Sequence, residues 1–356
     1  MSKPFVTILI DTYNHDSFIA DAINSVLGQD FEVSEREILV VDDGSTDSTP
    51  DIVRRFEPQV RLLRKTNGGQ ASAFNAGIRE AQGEIVAFLD GDDYWAKGKL
   101  ATVTEAFAAN PGVGLVGHGL TELFPDGRRR TEWIPRDVCR FRISSVGEAR
   151  KFRMLRGFLG TSRMAYRRAI LHKIGLVPES LKFEADEYLF TLAGFLTEVL
   201  ILNQPLTFYR LHGGNLYQIT HGNDLAARRK YRVIAALAQL LREKLNDYGI
   251  PFEIARTVLE CVEVEAEGLR LVLDSGFPWE TILTELKIMR VFHGDASFLQ
   301  RLFSCLRLLP AIALPARTYY RWRSYLSRLN FYLNLRKRFM PFPVPRDVKR
   351  IEKPAG

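Results

Sequence analysis

The chain of 356 residues is 46% hydrophobic and 26% charged, which excludes a disordered segment and leaves room for about two domains with a sizeable core. Its net charge of +7 is unevenly spread: Arg301 to Arg346 carries ten Lys or Arg and no Asp or Glu, and subtracting those ten from +7 leaves the remainder at −3. Cys139, Cys261 and Cys305 are too far apart in sequence to suggest a metal or disulfide pattern, and no apolar run reaches the ~18 residues of a spanning helix.

Met1-Ser2-Lys3-Pro4 leads directly into the strand Val6 to Ile10 with no signal peptide in view, so a reducing, cytoplasmic setting is expected. That strand runs into Asp11-Thr12-Tyr13-Asn14. The apolar pairs Phe18/Ile19, Ala22/Ile23 and Val26/Leu27 then recur at helical spacing up to Gly28. A second unit of the same kind follows: Glu37 to Val41 enters Asp42-Asp43-Gly44-Ser45-Thr46-Asp47, and Thr49 as N-cap with Pro50 at the first turn opens a helix over Asp51 to Phe56. After a weak strand near Val60 to Arg64, Asn67-Gly68-Gly69-Gln70 precedes a small-residue helix from Ala71 to Ala81.

The fourth strand, Ile85 to Leu89, ends in Asp90-Gly91-Asp92-Asp93. Carboxylates at the C-terminal end of a strand face the crevice where open α/β sheets bind ligands. An Asp-x-Asp there offers hard oxygens suited to Mg²⁺ or Mn²⁺, which would clamp a diphosphate; the competing interpretation is an acidic turn that caps the next helix. Strands alternating with helices of this length predict an α/β fold with a doubly wound, mostly parallel sheet.

A helix from Lys97 to Asn110, a strand over Val113 to Val116 and a turn at Pro125-Asp126-Gly127 between two short strands come next. Arg128 to Arg156 is basic and irregular. A strand and helix return over Thr161 to Gly175, a helix begins near Asp186, and the strand Leu206 to Arg210 leads to Leu211-His212-Gly213-Gly214-Asn215. From about Asn223 the pattern is helical only. The expected division is a catalytic domain over 1–220, with halves 1–116 and 117–220, and a helical, basic region over 221–356.

The series Val6 to Asn14, Val41 to Asp47, Asn67-Gly68-Gly69 with Phe74-Asn75-Ala76-Gly77, and Leu89 to Asp93 resembles the family 2 glycosyltransferases over residues 4–216. The resemblance implies the GT-A nucleotide-diphospho-sugar transferase fold and an inverting, metal-dependent transfer of one sugar from a nucleotide-diphospho-sugar, with UDP as the expected nucleotide. The acceptor would be a hydroxyl of a glycan, a lipid-linked or a small molecule. It further implies that Asp43, with Thr12, Tyr13, Asn14, Asn67 and Gly69, holds the nucleotide, and that Asp90 sits nearest the ribose. Asp92 would ligate Mn²⁺ or Mg²⁺, with Asp93 supporting the site. The family's general base matches Asp186, although the Glu usually before it is Ala185 here, which leaves Glu184 and Glu187 as competitors. Tyr209-Arg210-Leu211-His212 is similar to the family's closing segment, in which Arg210 would reach the diphosphate and His212 the cation or a phosphate. His15, His118, His172 and His221 are assigned to surface or packing.

Two other classes compete. A sugar nucleotidyltransferase would carry a Gly-rich loop with Arg and Lys after the first strand, where this chain has Asp11-Thr12-Tyr13-Asn14. A non-catalytic nucleotide-sugar-binding or membrane scaffold is opposed by Asp90, Asp92 and Asp186. The basic residues of 301–346, interleaved with aromatics, fit either an anionic membrane surface, giving peripheral attachment at the inner face of the plasma membrane, or an ordinary solvated helix face. No nucleic-acid-binding motif accompanies them.

Overall fold

The computed structural model describes residues 6–132, 139–153, 155, 158–213, 215, 224–274, 276–293, 305–306 and 308–326. The chain divides into two compact units. In the first, β1 (Val6–Thr12), α1 (Ile19–Leu27), β2 (Arg36–Asp42), α2 (Thr49–Arg54), β3 (Arg61–Arg64), α3 (Gln70–Glu80) and β4 (Ile85–Asp90) alternate along the chain. Their strands lie side by side and parallel in the order β3-β2-β1-β4. Ile8, Leu9 and Ile10 of β1 and Leu39, Val40 and Val41 of β2 are all fully buried. Strands apolar on both faces must be covered on both, which the intervening helices do. Thus α1 turns Ile19, Ala22, Ile23 and Val26 into the core at helical spacing.

Beyond β4 come β5 (Tyr94–Trp95), α4 (Lys99–Ala109), β6 (Val113–Leu123), β7 (Arg129–Glu132), β8 (Cys139–Phe141), α5 (Val146–Arg153), β9 (Met164–Arg167), α6 (Arg168–Ile174), α7 (Ala185–Leu196) and β10 (Glu198–Arg210). The sheet continues β4-β9-β6-β10-β5, with β7 on β6 and β8 on β10. Here β9 is antiparallel to β4 and β6, whereas β6 and β10 are parallel. The parallel, doubly wound pattern therefore describes the first half, and the second half is mixed.

Several local expectations are corrected. Thr49 is the first residue of α2 rather than its cap: its N–H donates to Asp47 Oδ1 at 3.0 Å, and its hydroxyl is taken by the His15 N–H. The strand predicted over Val113 to Val116 extends to Leu123. Its glycines hide this in the sequence. They are close-approach sites, since a Cβ on Gly117 would lie 2.6 Å from the Leu159 side chain. Likewise β10 starts at Glu198, eight residues before the predicted strand, because the turn-like Asn203-Gln204-Pro205 is absorbed as a register shift against β6. The stretch read as irregular from Arg128 to Arg156 contains β7, β8 and α5.

The second unit contains α5, α8 (Asp224–Asp247), α9 (Phe252–Asp274), α10 (Pro278–His293), α11 (Leu309–Ala313) and α12 (Ala316–Leu326). Helix α8 buries Val233, Ile234, Leu237, Leu241 and Leu245, one stripe at helical spacing. Helix α5, distant in sequence, belongs here: Arg153 lies 3.7 Å from Glu260 of α9. Among the described residues no helix is long and apolar enough to cross a membrane.

Candidate active site

The site is built at the C-terminal edge of β1 and β4. These strands pair in parallel register as far as Asp11 opposite Asp90. The Gly91 N–H donates to the Asp11 carbonyl at 2.8 Å, and a Cβ on Gly91 would lie 2.6 Å from Thr12 Oγ1, so the chain can turn here only without a side chain. That turn sends the next two carboxylates in different directions. Asp92 Oδ2 meets His212 Nε2 at 2.9 Å and His15 Nε2 at 3.9 Å. Asp93 accepts the Ser162 hydroxyl at 2.7 Å and the Arg210 backbone N–H at 3.0 Å, tying β4 to β10 and to the turn before β9.

Burial raises Asp11 and Asp90 well above the usual carboxylate range; the charge of Asp92 adds to both, and that of Asp11 adds to Asp90. Asp93 is pushed up to about 8 by burial and by Asp92. Burial also pushes Asp92 up, but the His212 hydrogen bond and the nearby His15 outweigh it and hold this carboxyl below its ordinary value. Asp92 is thus the carboxylate of this cluster that stays most readily ionised.

One carboxylate oxygen from each of Asp90, Asp92 and Asp93 lies within 4.8 Å of the others. Asp11 Oδ1 is buried with no hydrogen-bond partner. Three converging carboxylates, with an imidazole at their edge and the orphaned Asp11 oxygen on the neighbouring strand, fit a divalent cation of the Mg²⁺ or Mn²⁺ type. Asp92 and Asp90 are the better donors, because both oxygens of Asp93 already accept protein hydrogen bonds.

The residues expected to hold a nucleotide are largely occupied in shaping their loops. Asn14 takes a left-handed conformation at φ 56°, and its side-chain oxygen accepts the Thr46 N–H at 2.8 Å, stitching the loop after β1 to the loop after β2. Thr12 is buried, with its hydroxyl 3.2 Å from His15 Nδ1, and Tyr13 is 44% exposed. Asp43 accepts Lys65 Nζ at 2.7 Å, the Gly68 N–H at 3.0 Å and the Gly69 N–H at 2.6 Å, so it organises the 67–69 loop that was expected beside it. Gly69 has φ 85°, and a Cβ there would lie 3.0 Å from the Lys182 Cα. Asn67 is exposed on this loop.

Asp186 is the second residue of α7. Its Oδ1 accepts the Glu187 N–H at 2.8 Å and its Oδ2 the Thr161 N–H at 3.2 Å, while burial raises its pKa. Its field acts on Asp11 and Asp90, which places it toward the cluster. Glu187 is instead buried in the helix layer, where its Oε1 accepts the Thr191 hydroxyl at 3.4 Å. Glu184 precedes α7 in a left-handed conformation, φ 67°. Ala185 is buried, and its N–H donates to Gln70 Oε1 at 3.1 Å; the amide of Gln70 donates to Thr161 Oγ1 at 3.0 Å. Gln70 therefore braces both neighbours of Asp186.

The segment after β10 curls back through Asn215, which accepts the His212 N–H at 2.6 Å and donates to the Arg210 carbonyl at 2.9 Å. His212 also stacks on Phe18, ring centroids 4.6 Å apart. The Arg210 guanidinium is paired with Asp21 of α1 at 3.0 Å and held over the Phe18 and Tyr94 rings.

Sequence reasoning missed four participants. His15, assigned to packing, faces Asp92. Asp11 is the last β1 residue paired with β4, opposite Asp90, a signal legible only once the two strands are known to be neighbours. Ser162 bridges Asp90 and Asp93: it accepts the Asp90 N–H at 3.0 Å and donates to Asp93. Lys99, fully buried, donates to the Ser162 carbonyl at 2.6 Å. His118 is buried in β6 and His172 is on the surface, as assigned. His221 and Gly214 lie outside the described residues.

The family model for glycosyl transferase family 2 matches residues 7–175. The uncharacterized glycosyltransferase alr2836 of Nostoc sp. is 34% identical over 220 residues, which span 59% of this chain and 66% of that protein. Among solved structures, residues 1–349 of Staphylococcus aureus TarS superpose with a TM-score of 0.56 at 19% identity, over 89% of this chain and 91% of that one. A mannosyltransferase of Pyrobaculum calidifontis, solved with GDP-Man and Mn²⁺, gives a TM-score of 0.52 at 21% identity, over 97% and 86% of the two chains. At these identities the structural likeness establishes the fold, a GT-A architecture.

Proposed function

The chain belongs to glycosyl transferase family 2, and from that premise we propose that it moves a single sugar from a nucleotide-diphospho-sugar, UDP-linked by first expectation, to an acceptor hydroxyl with inversion at the anomeric carbon. The observation that carries the reading is the cluster of Asp90, Asp92 and Asp93 oxygens, within 4.8 Å of one another, at the strand edge where Asp11 pairs with Asp90. Asp92 and Asp90, with His212 at their edge, would hold Mn²⁺ or Mg²⁺. When bound, the cation supplies positive charge beside the leaving diphosphate.

The remaining tasks fall to the chain itself. Asp186 takes the proton of the acceptor hydroxyl as its oxygen bonds to the anomeric carbon and the bond to the diphosphate oxygen breaks. The Thr161 and Glu187 N–H groups fix its orientation, and burial raises its basicity toward neutral pH. Asp43 keeps the 67–69 loop closed beside the nucleotide. Asp93 and Asn215 fix the Arg210 to His212 segment over the cation side.

Thermal shift of the purified protein against UDP-, GDP- and dTDP-sugars, each with and without Mn²⁺, tests this reading. A metal-dependent rise with one nucleotide supports it, because a ligand that binds only the native state stabilises it by mass action. No rise with any nucleotide sugar would remove its basis.

Peripheral membrane docking is proposed for the second unit. It is supported by the ten basic residues over 301–346, part of which lies outside the described residues, and by exposed Trp279, Leu283 and Leu286 along α10. Equal co-sedimentation with anionic and neutral vesicles would sink it.

A further inference from the structure

Lys99 is fully buried at the first position of α4, and among the described residues it makes no ion pair. Both features are unfavourable for an ammonium, which loses its hydration on burial and meets the positive end of the helix dipole. Its nitrogen is nevertheless surrounded by acceptors. It donates to the Ser162 carbonyl at 2.6 Å and to Thr207 Oγ1 at 3.3 Å, and it lies 3.9 Å from the centroid of the Trp95 ring. The Thr207 hydroxyl gives its own proton to the same Ser162 carbonyl at 2.7 Å, so towards Lys99 it can only accept. Burial pulls the amine well below its ordinary pKa and the charge of Asp93 opposes this; three acceptors around the nitrogen favour the charged form.

What Lys99 holds is the short turn Thr161–Arg163, and that turn touches both carboxylate sites. Ser162 Oγ accepts the Asp90 N–H at 3.0 Å and donates to Asp93 Oδ2 at 2.7 Å, on the cation side. The preceding residue, Thr161, donates its N–H to Asp186 Oδ2 at 3.2 Å and its hydroxyl to the same oxygen at 3.3 Å. Two adjacent residues therefore link the cation carboxylates to the proposed base, and the carbonyl that Lys99 and Thr207 grip lies between them and the rest of the turn. An apolar side chain would fill the Lys99 position at less cost than a buried cation.

Resting on the glycosyltransferase reading, we propose that Lys99 is a positioning residue for sugar transfer: by fixing the Ser162 carbonyl it sets the Thr161-Ser162 turn, and with it the placement of the cation-binding carboxylates relative to Asp186. It acts through Ser162 rather than on substrate. The placement matters because the base must meet the acceptor hydroxyl on one face of the sugar while the diphosphate leaves from the other, and a misplacement of about 1 Å in such a geometry costs about 10²-fold in rate.

The test compares wild type, Lys99→Met, Ser162→Ala and the double variant. Methionine replaces the lysine stem without its nitrogen, so the melting temperature should be no lower than that of wild type. Mn²⁺ binding in the presence of UDP, followed by calorimetry and by the EPR spectrum of the ion, should weaken about tenfold in Lys99→Met with an altered spectrum. Nucleotide release from the sugar donor that most stabilises the protein, with water as acceptor and Mn²⁺ at saturation, should show kcat lowered about tenfold or more and KM unchanged. The double variant should be no worse than Ser162→Ala. If Lys99→Met does not fold, Thr207→Val, which removes the second donor to the same carbonyl, carries the test.

A role confined to packing would lower the melting temperature and leave Mn²⁺ affinity and kcat at their wild-type values. That result, or losses that add in the double variant, overturns the proposal. A wild type that binds neither Mn²⁺ nor any nucleotide sugar overturns the glycosyltransferase reading, and the inference with it, whereas Mn²⁺ binding retained in full by Lys99→Met overturns the inference alone.

Discussion

Asp11 and Asp90 are register partners at the last position of the β1 and β4 pair, so two half-buried carboxylates sit side by side where the sheet opens. Their burial and like charge make the cluster costly until a cation compensates it. Asp11→Asn removes one of these charges at constant shape. In EDTA its melting temperature should exceed that of wild type by a few degrees, about 1 kcal/mol for a protein of this size, and the further rise on adding Mn²⁺ should shrink. A melting temperature below wild type in EDTA would contradict the repulsion argument.

Chelation and Asp92→Ala should act on the same step. Either is expected to lower sugar transfer by about 10³-fold, from the loss of charge at the leaving diphosphate. Combined, they should cost no more than either alone. Full turnover by Asp92→Ala in EDTA would sink the metal assignment.

Asp186→Asn keeps the shape of the side chain and one of its two N–H contacts, since an amide has a single acceptor oxygen, and it cannot take a proton. The expected result is a fall in kcat of about 10²- to 10⁴-fold with little change in the KM for the donor. Glu187→Gln, in the helix layer, should change stability more than kcat. Wild-type turnover in Asp186→Asn would move the base elsewhere.

His118 offers a pH-dependent signal away from the cluster. Burial, and then the Lys99 and Arg163 charges, hold its imidazole well below 6.5, against which the hydrogen bond to the Gly119 carbonyl works only partly. The unfolded chain therefore binds a proton that the native one refuses, so this residue's contribution is intact above pH ~6.5 and is lost as pH falls below it. In urea melts at pH 7.5 and 5.5, wild type should lose more stability than His118→Gln on acidification. Parallel losses would show that His118 is not the group responsible.

The parallel half of the sheet was legible because strands buried on both faces are apolar nearly throughout, as Ile85 to Leu89 and, apart from Thr7, Val6 to Ile10 are. The strand extensions were not legible. Glycines in β6 and Pro205 in β10 read as breaks, and only the neighbouring Leu159 side chain and the register shift against β6 reveal them as places where elements approach or slip.

Local hydrophobic pattern and turn residues set strand ends, so the carboxylates at the strand edge and their order along the chain could be read from the residues alone. Which side chains meet there was decided by tertiary structure alone. Sheet order brings Asp11 beside Asp90, the return of β10 brings His212 to Asp92 across 120 positions, and Gln70 reaches Ala185 and Thr161 from another helix. Those contacts depend on how strands separated in sequence become neighbours, a choice made by burying the whole apolar surface at once rather than by any single stretch of chain.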